Sequence, residues 1–265
     1  MQNKFQVNII ASGSKGNSTI IVADNTAILI DAGISCKRII QGLRTCGLEP
    51  EDLSGVLLTH EHTDHVAGLP VLSRKTRIPI YANERTWAAM PRRGEIMRES
   101  IRVLPRNFSL GNITIEPFKI SHDAADPVGY SLFCGHDKCT YLTDCGFLDE
   151  ICRDAVKDAG TLILEANHDV EMLKHGSYPV ALQNRILGKK GHLSNATAGE
   201  LLASLASLPQ EVFLAHISHE NNSPRLVFNT VSTMLKQTNA QQPVKLYVTR
   251  QDIMVSNMDR RTENE

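Results

Sequence analysis

This 265-residue sequence is poor in several features that mark whole classes of protein. Only 5% of the residues are aromatic, which argues against a broad surface for stacking bases. The formal net charge of -1 argues against binding DNA or RNA by electrostatics alone, although it allows a local basic groove. No apolar run is long enough to span a bilayer, and the N-terminus lacks the apolar segment of a secretory signal. We therefore expect a cytoplasmic protein that does not bind a membrane.

Cysteine is also sparse, with six residues and no C-x-x-C pair, which excludes a disulfide scaffold. We expect free thiols, most of them in the core. The composition is otherwise ordinary for a globular protein, with 42% apolar and 22% charged residues. The length favours one domain over residues 1–255, followed by a polar tail over 256–265.

Short β-branched runs dominate the first third of the chain, and helical segments lie between strands throughout. Two β-sheets covered by helices suit that order. The predicted strands are FQVNII, STIIVA, TAILIDAG, GVLLT, IPIYA, ITIEPFKIS, YSLFC, KCTYLTD, TLILEA, VFLAHIS and VKLYVT.

The segment VLLTHEHTDHVAG, residues 56–68, ends an aliphatic run in a cluster of titratable side chains. His60 and His62 are two apart, so on extended chain they point the same way, and Asp64 and His65 follow on a turn that begins a helix. This density is typical of a site for Zn²⁺, Mn²⁺ or Fe²⁺, and favours two ions over one. The alternative is a helix-capping loop with Asp64 as the cap. Competing donors packed so closely are hard to justify without a cation.

Three other aliphatic strands also end in a potential ligand: His122, Asp144 and His216. The order H-x-H-x-D-H, then His, then Asp-x-Gly, then His resembles the metallo-β-lactamase superfamily over nearly the whole chain. That resemblance implies an α/β fold, the four-layer αββα sandwich, with a binuclear site on one edge. By the same resemblance, His60, His62 and His122 would bind one ion, Asp64, His65 and His216 the second, and Asp144 both. The bridging carboxylate, where β-lactamases often have cysteine, favours phosphate chemistry.

Four further segments resemble the YycJ/WalJ group of this superfamily, regarded as 5′-to-3′ DNA exonucleases. They are ASGSKGNST at 11–19, EANHD at 165–169, GHLSN at 191–195 and HISHENNSP at 216–224. GHLSN also resembles a segment of ribonuclease Z whose histidine assists phosphodiester cleavage. This makes His192 the candidate acid that protonates the leaving oxygen, with a helix-capping loop histidine as the alternative.

Four residues are weaker candidates for substrate contacts. The loop from Gly13 to Gly16, with Ser14 in it, is either a hairpin turn or, with Asn17, a nest of N–H groups for a phosphate. Asn221 either binds substrate or caps a helix. Glu165 lies at the end of the strand TLILEA and His168 follows it, and both could reach the site.

The expected activity is metal-dependent hydrolysis of a phosphodiester in nucleic acid, most directly DNA, by a hydroxide held between two divalent ions and oriented by Asp64. A cyclic-nucleotide phosphodiesterase and a thioesterase share the opening motif, and a non-catalytic metal-binding regulator is the alternative of a different class. The arginines of MPRRGEIMRESIRVLPR form either a phosphate-tracking strip or a solvated face.

Overall fold

A computed structural model describes residues 5–238 and 243–258. The first part of the chain contains the strands β1 (Phe5–Ala11), β2 (Ser18–Ala23), β3 (Thr26–Ile30), β4 (Leu53–Leu57), β5 (Ile80–Ala82) and β6 (Ile101–Val103). Its helices are α1 (Cys36–Thr45), α2 (Thr63–Val66), α3 (Leu69–Thr76) and α4 (Glu84–Ala89).

The second part begins with the strands β7 (Phe108–Leu110), β8 (Ile113–Lys119), β9 (Val128–Cys134) and β10 (Asp137–Leu142). The strands β11 (Thr161–Glu165), β12 (Glu211–Ala215), β13 (Lys245–Val248) and β14 (Val255–Ser256) follow. The helices are α5 (Glu150–Val156), α6 (Val170–His175), α7 (Val180–Leu187), α8 (Asn195–Ala203) and α9 (Pro224–Lys236).

Two mixed sheets face each other, and helices cover their outer faces. Among the described residues each sheet has seven strands, in the orders β14-β1-β2-β3-β4-β5-β6 and β13-β12-β11-β10-β9-β8-β7. One apolar cluster lies between the sheets, a second includes side chains of α1 and α3, and a third includes side chains of α5, α8 and α9. Three apolar layers between four structural layers confirm the predicted αββα sandwich.

Strand β3 shows why these strands lack polar alternation. Ile28 and Ile30 belong to the cluster between the sheets, whereas Leu29 belongs to the cluster under the helices of the first sheet. A strand buried on both faces is read as a continuous aliphatic run. The predicted strands are confirmed, as is the start of α1 after Ser35, whose side chain accepts a hydrogen bond from the Arg38 amide.

Three strands were not predicted: β6, β7 and β14. They are only two or three residues long, too short to show a hydrophobic period. Strand β14 begins at Val255 and pairs with β1, and the Asn257 side chain accepts from the Val7 amide. The start of the predicted polar tail is therefore attached to the first sheet, and residues 259–265 lie outside the described residues.

Two expectations from composition can be compared with the structure. All six cysteines lie within the described residues as thiols outside any disulfide, and Cys46 alone of them is not buried. Within residues 5–238 and 243–258 no helix has both the length and the apolar character that crossing a membrane requires.

Candidate metal centre

Polar side chains gather where parallel strands of both sheets end at one rim. Strands β3 and β4 are parallel, and so are β10, β11 and β12. Strand β8 runs in the same direction as β10, because both are antiparallel to β9. The side chains that follow or end these strands are Asp31, His60, His122, Asp144, Glu165 and His216.

Backbone strain at this rim is concentrated in three site residues. Asp31, Asp144 and His216 have φ values of 60°, 55° and 55°, in the left-handed region that side-chain-bearing residues seldom adopt. Such a conformation costs on the order of 1–3 kcal/mol per residue and persists only where the surrounding structure enforces it. Each lies within two residues of a strand end, so the turn redirects its side chain into the cluster.

The two predicted ligand trios are each brought together. Candidate ligand atoms of His60, His62 and His122 lie within 4.8 Å of one another, and the same is true of Asp64, His65 and His216. Asp144 lies between the trios, with its carboxylate oxygens 3.4 Å from His65 Nε2 and 3.9 Å from His122 Nε2. All seven predicted ligands therefore share one site.

Hydrogen bonds on the far side of the rings orient four of the five histidines. The Nδ1 atom of His65 lies 2.8 Å from the Asp31 carboxylate, and that of His216 lies 3.0 Å from Glu165. Nδ1 of His60 lies 2.9 Å from the Thr59 hydroxyl, and that of His122 lies 3.3 Å from a backbone carbonyl oxygen. An oxygen at Nδ1 directs Nε2 towards the ligand cluster, as in most metal-ligating histidines. Nε2 of His65 lies 3.0 Å from Asn17 Nδ2, and Nε2 of His60 lies 3.0 Å from His62 Nδ1.

Unsatisfied atoms in the cluster also fit a cation. Asp144 Oδ2 and His216 Nε2 are buried and have no hydrogen-bond partner among the described residues. A buried polar atom without a partner is costly, and a bound cation would remove that cost. Imidazole nitrogens with carboxylate oxygens suit Zn²⁺, Mn²⁺ or Fe²⁺. The cluster is thus fitted to hold divalent metal ions.

Opposite charges set the protonation of the metal-free cluster. Burial opposes charge on His216, but Asp144, Asp64 and Glu165 outweigh it and raise the pKa of His216 to about 10. Burial also opposes charge on His65, yet Asp31, Asp144 and Asp64 raise its pKa well above the ordinary value. The pKa of His60 is lowered, first by burial and then by the neighbouring histidines.

Metal affinity should consequently rise with pH. The neighbouring carboxylates favour the protonated forms of His65 and His216, since they raise the pKa of His65 well above its ordinary value and that of His216 to about 10, and each proton must be released before Nε2 can bind metal. Between pH 6 and 8 we expect log K for metal to rise by about 1–2 per pH unit, one for each proton released. Competition titrations with a chelator of known pH dependence measure the slope. A flat profile would contradict this protonation pattern.

Asp31 is a site residue that the sequence analysis missed. It is fully buried, and its carboxylate accepts from the Thr59 amide, the Thr59 hydroxyl and His65. Its side chain holds the ring of His65 and belongs to neither ligand trio. An acid at the end of the strand TAILI is the same signal that singled out Asp144, so the sequence contained the information.

Glu165 is the second carboxylate that supports the site. It is fully buried, and its Oε1 lies 2.7 Å from His192 Nδ1 and 3.0 Å from His216 Nδ1. Its Oε2 accepts from the amides of Cys145 and Leu193. Burial alone would raise the pKa of Glu165, but the charge and hydrogen bonds of His192 and His216 lower it well below the ordinary value. One anion therefore orients both a ligand histidine and His192.

Gly33 lets the backbone that follows β3 approach the segment from His60 to His65. The Asn17 amide donates to the Asp64 carbonyl oxygen at 2.7 Å, and the Gly33 amide donates to the Asn17 carbonyl oxygen at 2.8 Å. A Cβ atom on Gly33 would lie 1.6 Å from the Asp64 carbonyl oxygen, a distance that no packing tolerates. The absent side chain is therefore required by the position of Asp64.

The Gly33→Ala variant should lose activity together with stability. The added methyl group must push the Asp64 backbone away, and overpacking of this kind costs about 1–3 kcal/mol or more. We expect a thermal midpoint lower by several degrees and a reduced metal content, measured by calorimetry and elemental analysis. Gly94→Ala, where a Cβ meets no atom within 4 Å, is the matched control. Equal midpoints for the two variants would show that the loop adjusts freely.

The N-terminal loop is a turn whose amides bond within the protein. The Gly16 amide donates to the Gly13 carbonyl oxygen, and the Gly13 amide donates to Asn17 Oδ1. The Lys15 amide donates to Gln251, and Asn17 is buried. These bonds favour the hairpin turn over the phosphate nest, and leave Ser14 as the exposed predicted residue of this loop.

Of the remaining candidates, Asn221 and His168 are buried, whereas the arginines of the segment MPRRGEIMRESIRVLPR are exposed. Asn221 is 1% exposed, and its carbonyl oxygen accepts from the Asp169 amide below the site. His168 is also 1% exposed, and neither of its ring nitrogens has a partner among the described residues. In the arginine-rich segment, Arg92 pairs with Glu95, and the Arg102 guanidinium donates to two backbone carbonyl oxygens. Those two arginines fit the solvated-face alternative.

The fold and the site together define a metallo-hydrolase built on an αββα sandwich. Residues 26–217 match the β-lactamase superfamily domain. The chain belongs to the β-lactamase superfamily.

Curated relatives and solved structures agree with that assignment. The chain is 38% identical over 239 residues to exodeoxyribonuclease WalJ of Streptococcus pneumoniae (strain D39), covering 88% of this chain and 89% of the relative. It is 37% identical over 233 residues to exodeoxyribonuclease YycJ of Bacillus anthracis, covering 86% and 88%. The fold is similar to that of the metallo-β-lactamase fold protein YhfI of Bacillus subtilis, with a TM-score of 0.71 at 15% identity, covering 96% and 100%.

Proposed function

We propose that this protein is a 5′-to-3′ exodeoxyribonuclease that uses two divalent metal ions. The observation that carries the proposal is the pair of ligand trios with Asp144 between them, beside a histidine that Glu165 orients. Two relatives of similar length, 37% and 38% identical, are named exodeoxyribonucleases, which supports DNA as the substrate. We further propose that it acts in the cytoplasm and without a membrane.

The ligands would divide as the trios do. His60, His62 and His122 would bind one ion, Asp64, His65 and His216 the other, and Asp144 both. Zn²⁺, Mn²⁺ and Fe²⁺ all suit these donors. When bound, such ions lower the pKa of water to near neutrality and neutralise charge on phosphate oxygens.

The residues of the chain supply orientation and a proton. Hydrolysis joins a water oxygen to phosphorus and breaks the bond from phosphorus to O3′, and the departing oxygen must take up a proton. His192 lies at the rim with Nδ1 held by Glu165, so Nε2 is left to face a leaving oxygen. The buried carboxylate fixes the orientation of the ring, and a positioned imidazole is the commonest general acid in enzymes. Asp64, 25% exposed and 3.9 Å from His216 Nε2, would orient the attacking water.

A nuclease assay with defined metals tests the proposal. Single-stranded oligonucleotides labelled at one end, blocked at either the 5′ or the 3′ end, are incubated with Mn²⁺ or Zn²⁺, alongside bis-p-nitrophenyl phosphate. Successive release of nucleotides from the free 5′ end, absent in the Asp64→Ala variant, is the expected result. Hydrolysis of the small ester alone would point instead to a small-molecule phosphodiesterase. Bound metal without any turnover would point to the regulator.

A further inference from the structure

A cleft beside His192 is lined by none of the seven predicted metal ligands. Its volume is about 350 Å³, at the lower end of the range for sites that bind one small molecule. Its lining includes Phe147, Arg153, His168, His192 and Thr197. A duplex does not fit such a space, whereas a single nucleotide does. His192 is shared between this cleft and the metal centre, so a group bound in the cleft adjoins the reacting phosphate.

His168 is an unexplained polar group on the wall of this cleft. It is 1% exposed, and neither ring nitrogen has a hydrogen-bond partner among the described residues, although burying such a group unpaired is costly. Its backbone is firmly placed, because its carbonyl oxygen accepts from the Asn195 amide at 2.9 Å. Burial lowers the pKa of His168 to about 4, so the ring is neutral at pH 7 and offers one donor and one acceptor. That pattern suits a sugar hydroxyl or a base edge.

The cleft also contains a free cation and an exposed aromatic ring. Arg153 is exposed, and its guanidinium forms no ion pair with any residue in the described part of the chain. Helix α8 begins beside the cleft, where Ser194 caps it, so the positive end of its dipole adds to the attraction for an anion. The Phe147 ring is 48% exposed, with Lys189 Nζ 5.2 Å from its centre. Arg153, His168 and Phe147 thus offer a cation for a phosphate, a hydrogen-bonding ring for a sugar or base, and an aromatic ring for a base.

The direction of the reaction determines which nucleotide adjoins His192. In the 5′-to-3′ reaction proposed above, on which this inference rests, the leaving O3′ belongs to the terminal nucleotide. The acid must lie within hydrogen-bond reach of that oxygen. The terminal nucleotide is thereby placed on the His192 side of the centre, where the cleft lies.

We propose that this cleft binds the 5′-terminal nucleotide of the substrate, with Arg153 on its 5′-phosphate and His168 on its sugar or base. The cleft would then make the enzyme selective for 5′-phosphorylated ends, and its single-nucleotide size would favour removal of one nucleotide at a time.

The test compares two oligonucleotides of one sequence that differ only in a 5′-phosphate or a 5′-hydroxyl. For the wild-type protein we expect kcat/KM to favour the phosphorylated end about tenfold or more, as for one charge-assisted hydrogen bond. Arg153→Ala should bring the ratio close to one. Lys157→Ala, a cation one turn further along the chain and outside the cleft, should retain the wild-type ratio. His168→Leu should raise KM for both oligonucleotides, and His168→Asn should restore part of the loss.

Thermal midpoints and metal contents of the variants show whether each is folded. Arg153 is exposed, so its variant remains informative if His168→Leu proves unstable. If the wild-type protein digests neither oligonucleotide, the proposed function fails. If it digests both without preference, or if Arg153→Ala keeps the wild-type ratio, the nuclease stands and the terminal-nucleotide cleft is overturned.

Discussion

Replacing Asp144 with asparagine should reduce DNA hydrolysis by about a thousandfold or more and reduce bound metal below two ions per chain. The Asp144 carboxylate is 2% exposed and lies between the two ligand trios. Burial alone would raise the pKa of Asp144, but His216, His65 and His122 lower it, so the carboxylate is an anion at neutral pH. Asparagine keeps the shape and removes the charge. The two cations that we propose to bind there would then lose their common counter-charge. Elemental analysis and the end-labelled assay measure the two effects.

The matched control for this variant is Asp158→Asn. Asp158 has φ 58°, close to the 55° of Asp144, but it is exposed and remote from the ligand trios. Asparagine adopts this conformation readily, so neither substitution should strain the backbone. The control should keep full activity and metal. Normal metal content in Asp144→Asn would contradict the bridging role, whatever the activity.

Replacing His192 with alanine should slow turnover by about 10²–10⁴-fold while the metal content stays at the wild-type level. His192 Nδ1 bonds to Glu165, and the ring, 20% exposed, lies outside both ligand trios. The variant therefore removes a proton donor and leaves the ligands in place. Single-turnover kinetics separate this chemical defect from a change in substrate binding.

Glu165→Gln distinguishes support of the acid from support of a ligand. Glu165 contacts His192 and His216 together, so its replacement should lower both kcat and metal affinity. The double variant with His192→Ala should lose less activity than the product of the single losses, because part of the effect of Glu165 on activity acts through His192. Loss of metal in His192→Ala alone would assign His192 to the ligand set instead.

The pattern of residues along the chain was sufficient for most of the architecture. Strands such as TAILI and TLILE have aliphatic residues on both faces because both faces are buried, and that property is visible in the letters alone. The seven expected ligands were visible for a similar reason, since each polar residue interrupts or follows an aliphatic strand. Strands β6 and β14 were not visible, because two or three residues have no period and depend on partners distant in sequence.

The residues that orient the ligand histidines were harder to predict than the ligands themselves. That Asp31 holds His65, and that Glu165 holds both His192 and His216, depends on which strand ends face one another. The buried, unpartnered state of His168 and the cleft beside it depend on helices α5, α7 and α8 meeting at the rim. None of these contacts follows from a regular spacing of residues along the chain, so no sequence pattern predicts them.

The sequence by itself determined the two-sheet sandwich, the density of imidazole and carboxylate at one rim, and the family to which the chain belongs. Only the tertiary structure decided which carboxylate orients which histidine, which atoms are left without partners, and where a nucleotide has room. The physical reason is that strand burial and ligand chemistry are local properties of residue type. Hydrogen-bond partners and cavities arise only when segments distant in the sequence are packed together, as Asp31 is with His65 and Ser12 is with His216.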